Sequence, residues 1–302
     1  MTTVAALVGP TAVGKSSAAI EVAERIDAEV VSIDSMQVYR GMDIGTDKVS
    51  AEDRQRVRHH LLDLRDPSHD LTVAEFQDLA RAAIDEIHAR GRIPLLVGGS
   101  GLYFRAVVDD LDFPPRSPEV RAALEERIEL EGPAPLYAEL AERDPVAAAR
   151  IEPANARRIV RALEVVQLTG RPFSANDAWD RYESRYDLRV AGLERPPEVL
   201  HERIEERVRQ MLERGLIEET RALAEAGLGV TARQALGYRQ VLEMSEATVE
   251  ELHREISKAT KRFARRQRSW FRADPRIRWF DAASATLIDD LEGFFGGKGA
   301  VP

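Results

Sequence analysis

The sequence predicts an α/β fold: a parallel sheet with crossover helices, interrupted by an inserted all-helical domain. Three observations carry this. Short apolar runs alternate with helix-length amphipathic segments from Thr3 to Gly99, the pattern of βα units. After Phe113-Pro114-Pro115 only helical spacing is found. A strand-like run then returns at residues 189–193 (RVAGL).

The elements follow in order. Residues 3–8 (TVAALV) read as a buried strand and 15–26 as a helix. Residues 29–34 (EVVSID) and 60–64 (HLLDL) read as the second and third strands. Thr72-Val-Ala-Glu75 is a capping box, in which each end residue satisfies a free backbone N–H of the other. It opens a helix to about Arg90, stopped by Gly91. Residues 93–99 (IPLLVGG) form a fourth strand, and Gly98-Gly99-Ser100-Gly101-Leu102-Tyr103 opens the next helix. Ser117-Pro118 and Asp144-Pro145 each place a cap before a proline at the first helical position. A third helical piece, 155–169, is stopped by Gly170. Helical segments at 197–214, 217–226, 232–244 and 248–272 precede a last strand at 277–281 and a helix near 288–295. The terminal GGKGAVP is expected to be disordered. The predicted organisation is a core of 1–113 and 189–302 around a helical insertion at 114–188.

A chain of 302 residues, 44% hydrophobic and 31% charged, suits two domains or one domain with a large insertion. The absence of cysteine excludes a disulfide framework and a cysteine-based zinc site. No apolar run approaches the roughly 18 residues of a membrane span. The first apolar run feeds straight into a phosphate loop and reads as a strand, not a signal peptide. A cytoplasmic monomer without membrane contact is expected. The net charge of −9 argues against a protein that coats nucleic acid broadly, but leaves room for local basic patches.

Gly9-Pro10-Thr11-Ala12-Val13-Gly14-Lys15-Ser16 fills the pattern GxxxxGK[ST], with a strand before it and a helix after it. Such a loop turns backbone N–H groups inward around phosphate oxygens, and the helix N-terminus adds its dipole. Lys15 reaches terminal phosphate oxygens and Ser16 is the expected ligand of Mg²⁺. The core is thus P-loop NTPase-like. The motif marks a chain of phosphates with a metal; a nucleotide such as ATP is one such ligand, and the motif alone does not choose it.

Other candidates leave the sheet at its C-terminal edge, where open α/β sheets bind ligands. Asp34 can take a proton from a nucleophile or cap the following turn; Ser35 and Gln37, flanking Met36, can bond a base or sugar. Lys48 faces the same edge or, more plainly, is a solvated lysine. Ser100 can donate to a phosphate or bridging oxygen, or simply cap a helix. Arg203 and Arg207 share a helix face and can clamp an anion or, more plainly, pair with Glu205 and Glu206.

Lys258, Lys261, Arg262, Arg265, Arg266, Arg268 and Arg272 form a run with no acid between them, with Ile256, Ala259, Phe263 and Trp270 near the opposite helix face. A basic outer stripe of this kind suits an RNA backbone. Arg157, Arg158 and Arg161 form a second cluster that fits a kinase lid or RNA. Gly237-Tyr238-Arg239 offers an aromatic ring and a cation to a splayed nucleotide, unless Tyr238 packs in the core.

GPTAVGKS, DSMQVYRGMDIGTDK, LLDLRDP, LLVGGSGLYFRAV, ARRIVRALEV, ALGYRQV and KRFARRQRSWFR occur in this order. Together they make the chain similar to the bacterial tRNA dimethylallyltransferases over about residues 4–281. The phosphate loop is widespread; DS-x-Q-x-YRGMDIGT followed by GG-[ST]-x-LY is specific. The resemblance implies a P-loop core with a helical insertion, tRNA bound through its anticodon stem-loop, dimethylallyl diphosphate as donor and Mg²⁺ as metal. It implies transfer of the dimethylallyl group to N6 of adenosine 37, with release of diphosphate. Asp34 then matches the residue that holds the amine and takes its proton. Ser100 matches a group contacting the oxygen that bridges C1 and the diphosphate. Lys15, Ser16 and Arg207 match groups that neutralise the departing charge. The resemblance further implies tRNA recognition through Asp34, Ser35, Met36 and Gln37, through Arg157, Arg158 and Arg161, and through Arg233, Gly237, Tyr238 and Arg239. Lys261 and Arg265 extend that surface along the basic stripe. Ser100 stands where many relatives have threonine, and the hydroxyl is kept. The zinc finger of eukaryotic relatives is absent, in line with zero cysteine. On the residues alone two other readings stay open: a small-molecule P-loop kinase with the 157–161 arginines as its lid, and a nucleotide-gated RNA-binding module.

Overall fold

In the computed structural model, which describes residues 2–175 and 181–297, the apolar runs form strands β1 (Thr3–Val8), β2 (Ala28–Ser32), β3 (His59–His60), β4 (Ile93–Gly98), β5 (Asp187–Glu194) and β6 (Ile277–Asp281). They make one parallel sheet in the order β3-β2-β4-β1-β5-β6. Val4, Ala5, Ala6, Leu7 and Val8 are all buried. Both faces of the central strand are therefore covered, which is why its sequence is continuously apolar rather than alternating. Each such valine or leucine contributes roughly 1.5–3 kcal/mol by leaving water. Helices α1 (Lys15–Ile26), α2 (Ala51–Arg56), α3 (Val73–Ala89) and α4 (Gly101–Val108) connect the first four strands and continue from the fourth. The α3 capping box forms as its sequence requires.

Register sets the site. Val8 lies opposite Gly98, and Ser32 opposite Val97. The three strands end level, so the chain leaves β1, β2 and β4 side by side at Gly9, Ile33 and Gly99.

The chain divides into a core unit, 1–110 with 183–302, and a helical unit, Leu111–Tyr182. The sequence placed this break at 114 and 188. The difference arises because Asp109 forms a β-bridge with Ser184 and β5 begins at Asp187, which draws 183–188 into the core unit. The helical unit holds α5 (Pro118–Glu131), α6 (Pro133–Arg143), α7 (Pro145–Arg150) and α8 (Ala156–Thr169), packed on its own core of Leu124, Leu136, Leu140, Ile159 and Leu163.

The core unit continues with α9 (Pro197–Glu213), α10 (Leu216–Ala226), α11 (Val230–Arg233), α12 (Tyr238–Glu243), α13 (Val249–Arg272) and α14 (Leu287–Gly296). The single helix expected over 232–244 is two, because Gly237 adopts φ +89 and breaks the ladder. The strand expected over 60–64 is only His59–His60: Leu61 and Asp63 take φ values of 64 and 57, which turn the chain away. The α2 helix, capped by Ser50, was missed because it is short and buries no side chain. Most of the terminal GGKGAVP lies outside the described residues.

Candidate active site

Three arginines hold the phosphate loop. Arg207 Nη1 donates to Thr11 Oγ1 at 3.0 Å, Arg203 Nε to the Ala12 carbonyl at 2.8 Å and Arg195 Nε to the Val13 carbonyl at 3.0 Å. Three guanidinium groups thus hold three successive loop residues. This corrects the plainer reading of Arg203 and Arg207 as surface partners of neighbouring glutamates. Glu205 takes Lys261 instead, and Glu206 takes Arg209. Lys15 Nζ donates to the Pro10 carbonyl at 2.7 Å. Burial of its ammonium, then repulsion from Arg207, lowers its pKa to about 7, against a smaller opposing pull from Asp34. Burial is the larger cause, so the ammonium sits there without full charge compensation, and an anion bound beside it would favour its charged form.

Two adjoining cavities lie over this loop and share part of their lining. A narrow one of about 90 Å³ is lined by Lys15, Ser16 and Asp34. A wide cleft of about 710 Å³ carries Asp34, Ser100, Arg239, Arg262 and Arg266 on its walls. Thr11, Asp34, Arg207, Phe263 and Gln267 line both.

Asp34 Oδ1 accepts the Met36 N–H at 2.8 Å. The carboxylate does hold its turn and still faces both cavities, so the two readings of Asp34 are compatible. Ser100 occupies the N-cap position of α4, yet its side chain makes no capping bond, and it lines the wide cleft. Gln37 is half-buried on the wall of the narrow cavity, where its Oε1 accepts from Ser32 Oγ at 2.9 Å and its Nε2 donates to the Thr46 carbonyl at 3.1 Å. Ser35 and Met36 line the wide cleft.

Lys48 is not a solvated lysine. Its buried ammonium bonds the Tyr39 carbonyl, Asp43 Oδ1 at 2.7 Å and Asp63 Oδ1 at 2.6 Å. Burial works against the Asp63 anion, but hydrogen bonds from Lys48 and Arg54 prevail and hold its carboxyl below the usual range. The residue thus braces the whole stretch that follows Asp34. Tyr238 is 0% exposed, and its hydroxyl donates to Glu219 Oε1 at 2.6 Å. It cannot stack on a nucleotide. Gly237 and Arg239 line the wide cleft, and Arg233 is exposed on α11.

Helix α13 differs from the expected pattern. Phe263 is half-buried and Trp270 is exposed, and both line the cleft rather than the core. Arg262 and Arg266 also face the cleft. Lys261 is paired with Glu205, and Arg272 with Glu194 while stacking on Trp279. Arg265 is exposed. In the helical unit Arg157 and Arg158 are exposed, but Arg161 is spent on structure: it bonds Glu164 at 2.8 Å and the Pro114 and Pro115 carbonyls. Glu164 is fully buried, and although burial opposes its charge, Arg161 and the Ser117 N–H keep its carboxyl below the usual range.

Sequence reasoning missed Arg195, Glu219 and Gln267. Glu219 accepts the backbone N–H groups of Asp43, Ile44 and Gly45. Gln267 accepts the Thr11 N–H and donates to the Gly99 carbonyl. Its signal was legible: an amide at the buried helical spacing of Ile256, Ala264 and Phe271 needs polar partners.

Among the described residues no three histidine, cysteine or acidic side chains gather as a metal-binding group. Mg²⁺ at such a site draws most of its oxygen shell from substrate phosphates and water, with few protein ligands. The Ser16 hydroxyl at the narrow cavity, near Asp34, fits that mode. No helix among the described residues is long and apolar enough to cross a membrane.

The chain matches the IPP transferase family model over residues 37–274. It is 54% identical to the tRNA dimethylallyltransferase of Salinispora arenicola, over 95% of this chain and 85% of that one. It is 55% identical to that of Acidothermus cellulolyticus, over 94% and 90%. Among solved structures it resembles the tRNA isopentenylpyrophosphate transferase of Bacillus halodurans at 41% identity, with a TM-score of 0.72 over 98% of this chain and 96% of that one. It also resembles a eukaryotic dimethylallyltransferase acting on tRNA at 27% identity and a TM-score of 0.80, over 95% and 75%. With its phosphate loop, its acid and its hydroxyl brought to one cleft, the chain belongs to the IPP transferase family.

Proposed function

We propose that the protein transfers a dimethylallyl group from dimethylallyl diphosphate to N6 of adenosine 37 in the anticodon loop of tRNA, with release of diphosphate. The observation that supports this best is the juxtaposition of the cavities: a small one beside Lys15 and Ser16 and a cleft large enough for a base share Asp34 in their walls. The relatives' names, which are those of tRNA dimethylallyltransferases, supply the acceptor and the transferred group.

In this reading the N6–C1 bond forms as the C1–oxygen bond breaks. An exocyclic adenine amine is a weak nucleophile, so most of the catalysis falls on the leaving group. Lys15 and Arg207 take up its charge, and Ser100 donates to the bridging oxygen. Asp34 accepts the proton lost from N6; the Met36 N–H fixes one of its oxygens and so orients the other. Mg²⁺, when bound with Ser16 as protein ligand, supplies further charge neutralisation to the diphosphate. The adenine reaches the cleft by leaving its stack, which costs little in a single-stranded loop. Exposed Arg157, Arg158, Arg233 and Arg265 suit the RNA backbone, with Arg239, Arg262 and Arg266 at the cleft. The protein acts as a cytoplasmic monomer in this scheme.

The kinase reading of the same loop is not favoured, since the relatives at 54% and 55% identity are named as transferases acting on tRNA. The test is mass spectrometry of nucleosides from unmodified tRNA after incubation with enzyme and Mg²⁺, with either the allylic donor or ATP. The expected result is N6-dimethylallyladenosine with the allylic donor alone. Phosphorylated product from ATP, with no prenylated nucleoside, contradicts the reading.

A further inference from the structure

Gln267 joins the two halves of the catalytic apparatus. Its Oε1 accepts the Thr11 N–H at 2.9 Å, and its Nε2 donates to the Gly99 carbonyl at 2.8 Å. Thr11 belongs to the phosphate loop; Gly99 immediately precedes Ser100. The approach is close: a Cβ at 99 would lie 2.2 Å from Gln267 Nε2, so a larger residue there would displace the amide. The amide is 7% exposed and has both functional atoms engaged, so it has little freedom to shift. The Thr11 side chain is held independently by Arg207. Backbone and side chain of this one residue are therefore pinned from two helices, α13 and α9.

We propose that Gln267 is a positioning residue that fixes the separation between the phosphate loop and the Ser100 hydroxyl. This rests on the roles given above to the loop and to Ser100. A diphosphate leaving group presents terminal oxygens to the loop and a bridging oxygen to Ser100, and both must be met at once. The sheet pairs β1 with β4 up to Val8 and Gly98, so loss of the strut leaves the strands in place and frees the segments beyond them, at Thr11 and Gly99, to shift relative to one another. Misplacement of reacting groups by about 1 Å can cost about 100-fold in rate. Because Gln267 acts through Ser100, its value disappears when the hydroxyl is gone. A side chain that merely supports the fold has no such dependence.

The test is a double-mutant cycle on the single-turnover rate, with donor and tRNA saturating, using Gln267→Met, Ser100→Ala and the pair. Methionine keeps the volume and removes both hydrogen bonds. Q267M is expected to lower the rate by about 10- to 100-fold, with tRNA affinity close to that of the parent and a lowered melting temperature, since the Thr11 N–H and the Gly99 carbonyl both lose their partner. In the S100A background the same change is expected to cost less than about threefold. Equal factors in both backgrounds, or a silent Q267M beside a damaging S100A, overturn the proposal and leave the assigned reaction intact. A silent S100A removes the role of Ser100 and this inference with it. Should Q267M fail to fold, Gln267→Glu replaces it in the same cycle: it keeps the acceptor for Thr11 and gives up the donor to Gly99.

Discussion

The Tyr238 hydroxyl donates to Glu219 Oε1 at 2.6 Å, and the same carboxylate receives the backbone N–H groups of Ile44 and Gly45. One acid on α10 thus ties the segment after Asp34 to a buried tyrosine. Burial, then the bond to Glu219, raises the phenol pKa above its ordinary value. Tyr238→Phe is expected to cost about 1 kcal/mol in urea unfolding and to leave tRNA affinity unchanged. Glu219→Leu strands several N–H groups and is expected to cost about 3 kcal/mol. A large loss of tRNA affinity in Y238F, with stability retained, would give the hydroxyl a part in RNA binding that its bond to Glu219 does not suggest.

The helical unit separates two kinds of arginine. Arg161→Ala leaves Glu164 buried with Arg121 at 3.3 Å as its remaining ion-pair partner. Breaking a buried pair costs about 3–5 kcal/mol, and the remaining arginine should reduce this to about 2 kcal/mol. Arg157→Ala and Arg158→Ala are expected to leave stability within about 0.5 kcal/mol and to weaken tRNA binding, more so at low salt. Thermal unfolding and filter binding of the three variants check the split.

Lys15 ties ligand binding to pH. Its folded pKa of about 7 lies below the ordinary 10.5. Between these values the unfolded chain binds more protons, so on this group's account stability rises with pH from about 7 to 10.5. Below about 7 both states are charged and the burial cost is full. A bound diphosphate favours the charged form. Binding at pH 8 is therefore expected to take up as much as about one proton at Lys15. Calorimetry in buffers of different ionisation enthalpy measures this, and Lys15→Met should abolish that share. Equal uptake by the variant would contradict the assignment.

Gly101 tests how closely α13 meets α4. A Cβ at 101 would lie 1.9 Å from Trp270 Cδ1. Gly101→Ala is expected to destabilise by about 1–3 kcal/mol and to slow transfer. Adding Trp270→Ala should recover most of the stability, since the indole is exposed and can be removed without opening the core. Urea unfolding of the single and double variants decides.

The elements made of long apolar or periodic runs were legible because burial on both faces writes itself into β1 and β4, and caps such as Thr72 mark a helix start. The sheet edge that gathers Gly9, Asp34 and Ser100 followed from topology. The partners did not. Lys48 and Arg161 read as surface cations because nothing local shows that Asp63 and the proline carbonyls wait for them across 15 and 46–47 residues, or that Glu164, a neighbour on the same helix, is buried. Tyr238 looked available to RNA because its partner, Glu219, is set by tertiary packing, whereas Gln37 keeps a place on the cavity wall beside Asp34. The phosphate loop's arginines come from more than 180 residues away, a distance no spacing rule reaches.

The most direct measurement follows both parts of the donor at once. Dimethylallyl diphosphate carrying ¹⁴C at C1 and ³²P at the terminal phosphorus is incubated with the enzyme, Mg²⁺ and unmodified tRNA. The account predicts carbon label in the RNA and an equal amount of phosphorus label in free diphosphate, with both falling together in Asp34→Ala. Phosphorus label in the RNA, or diphosphate released without carbon entering it, would contradict it.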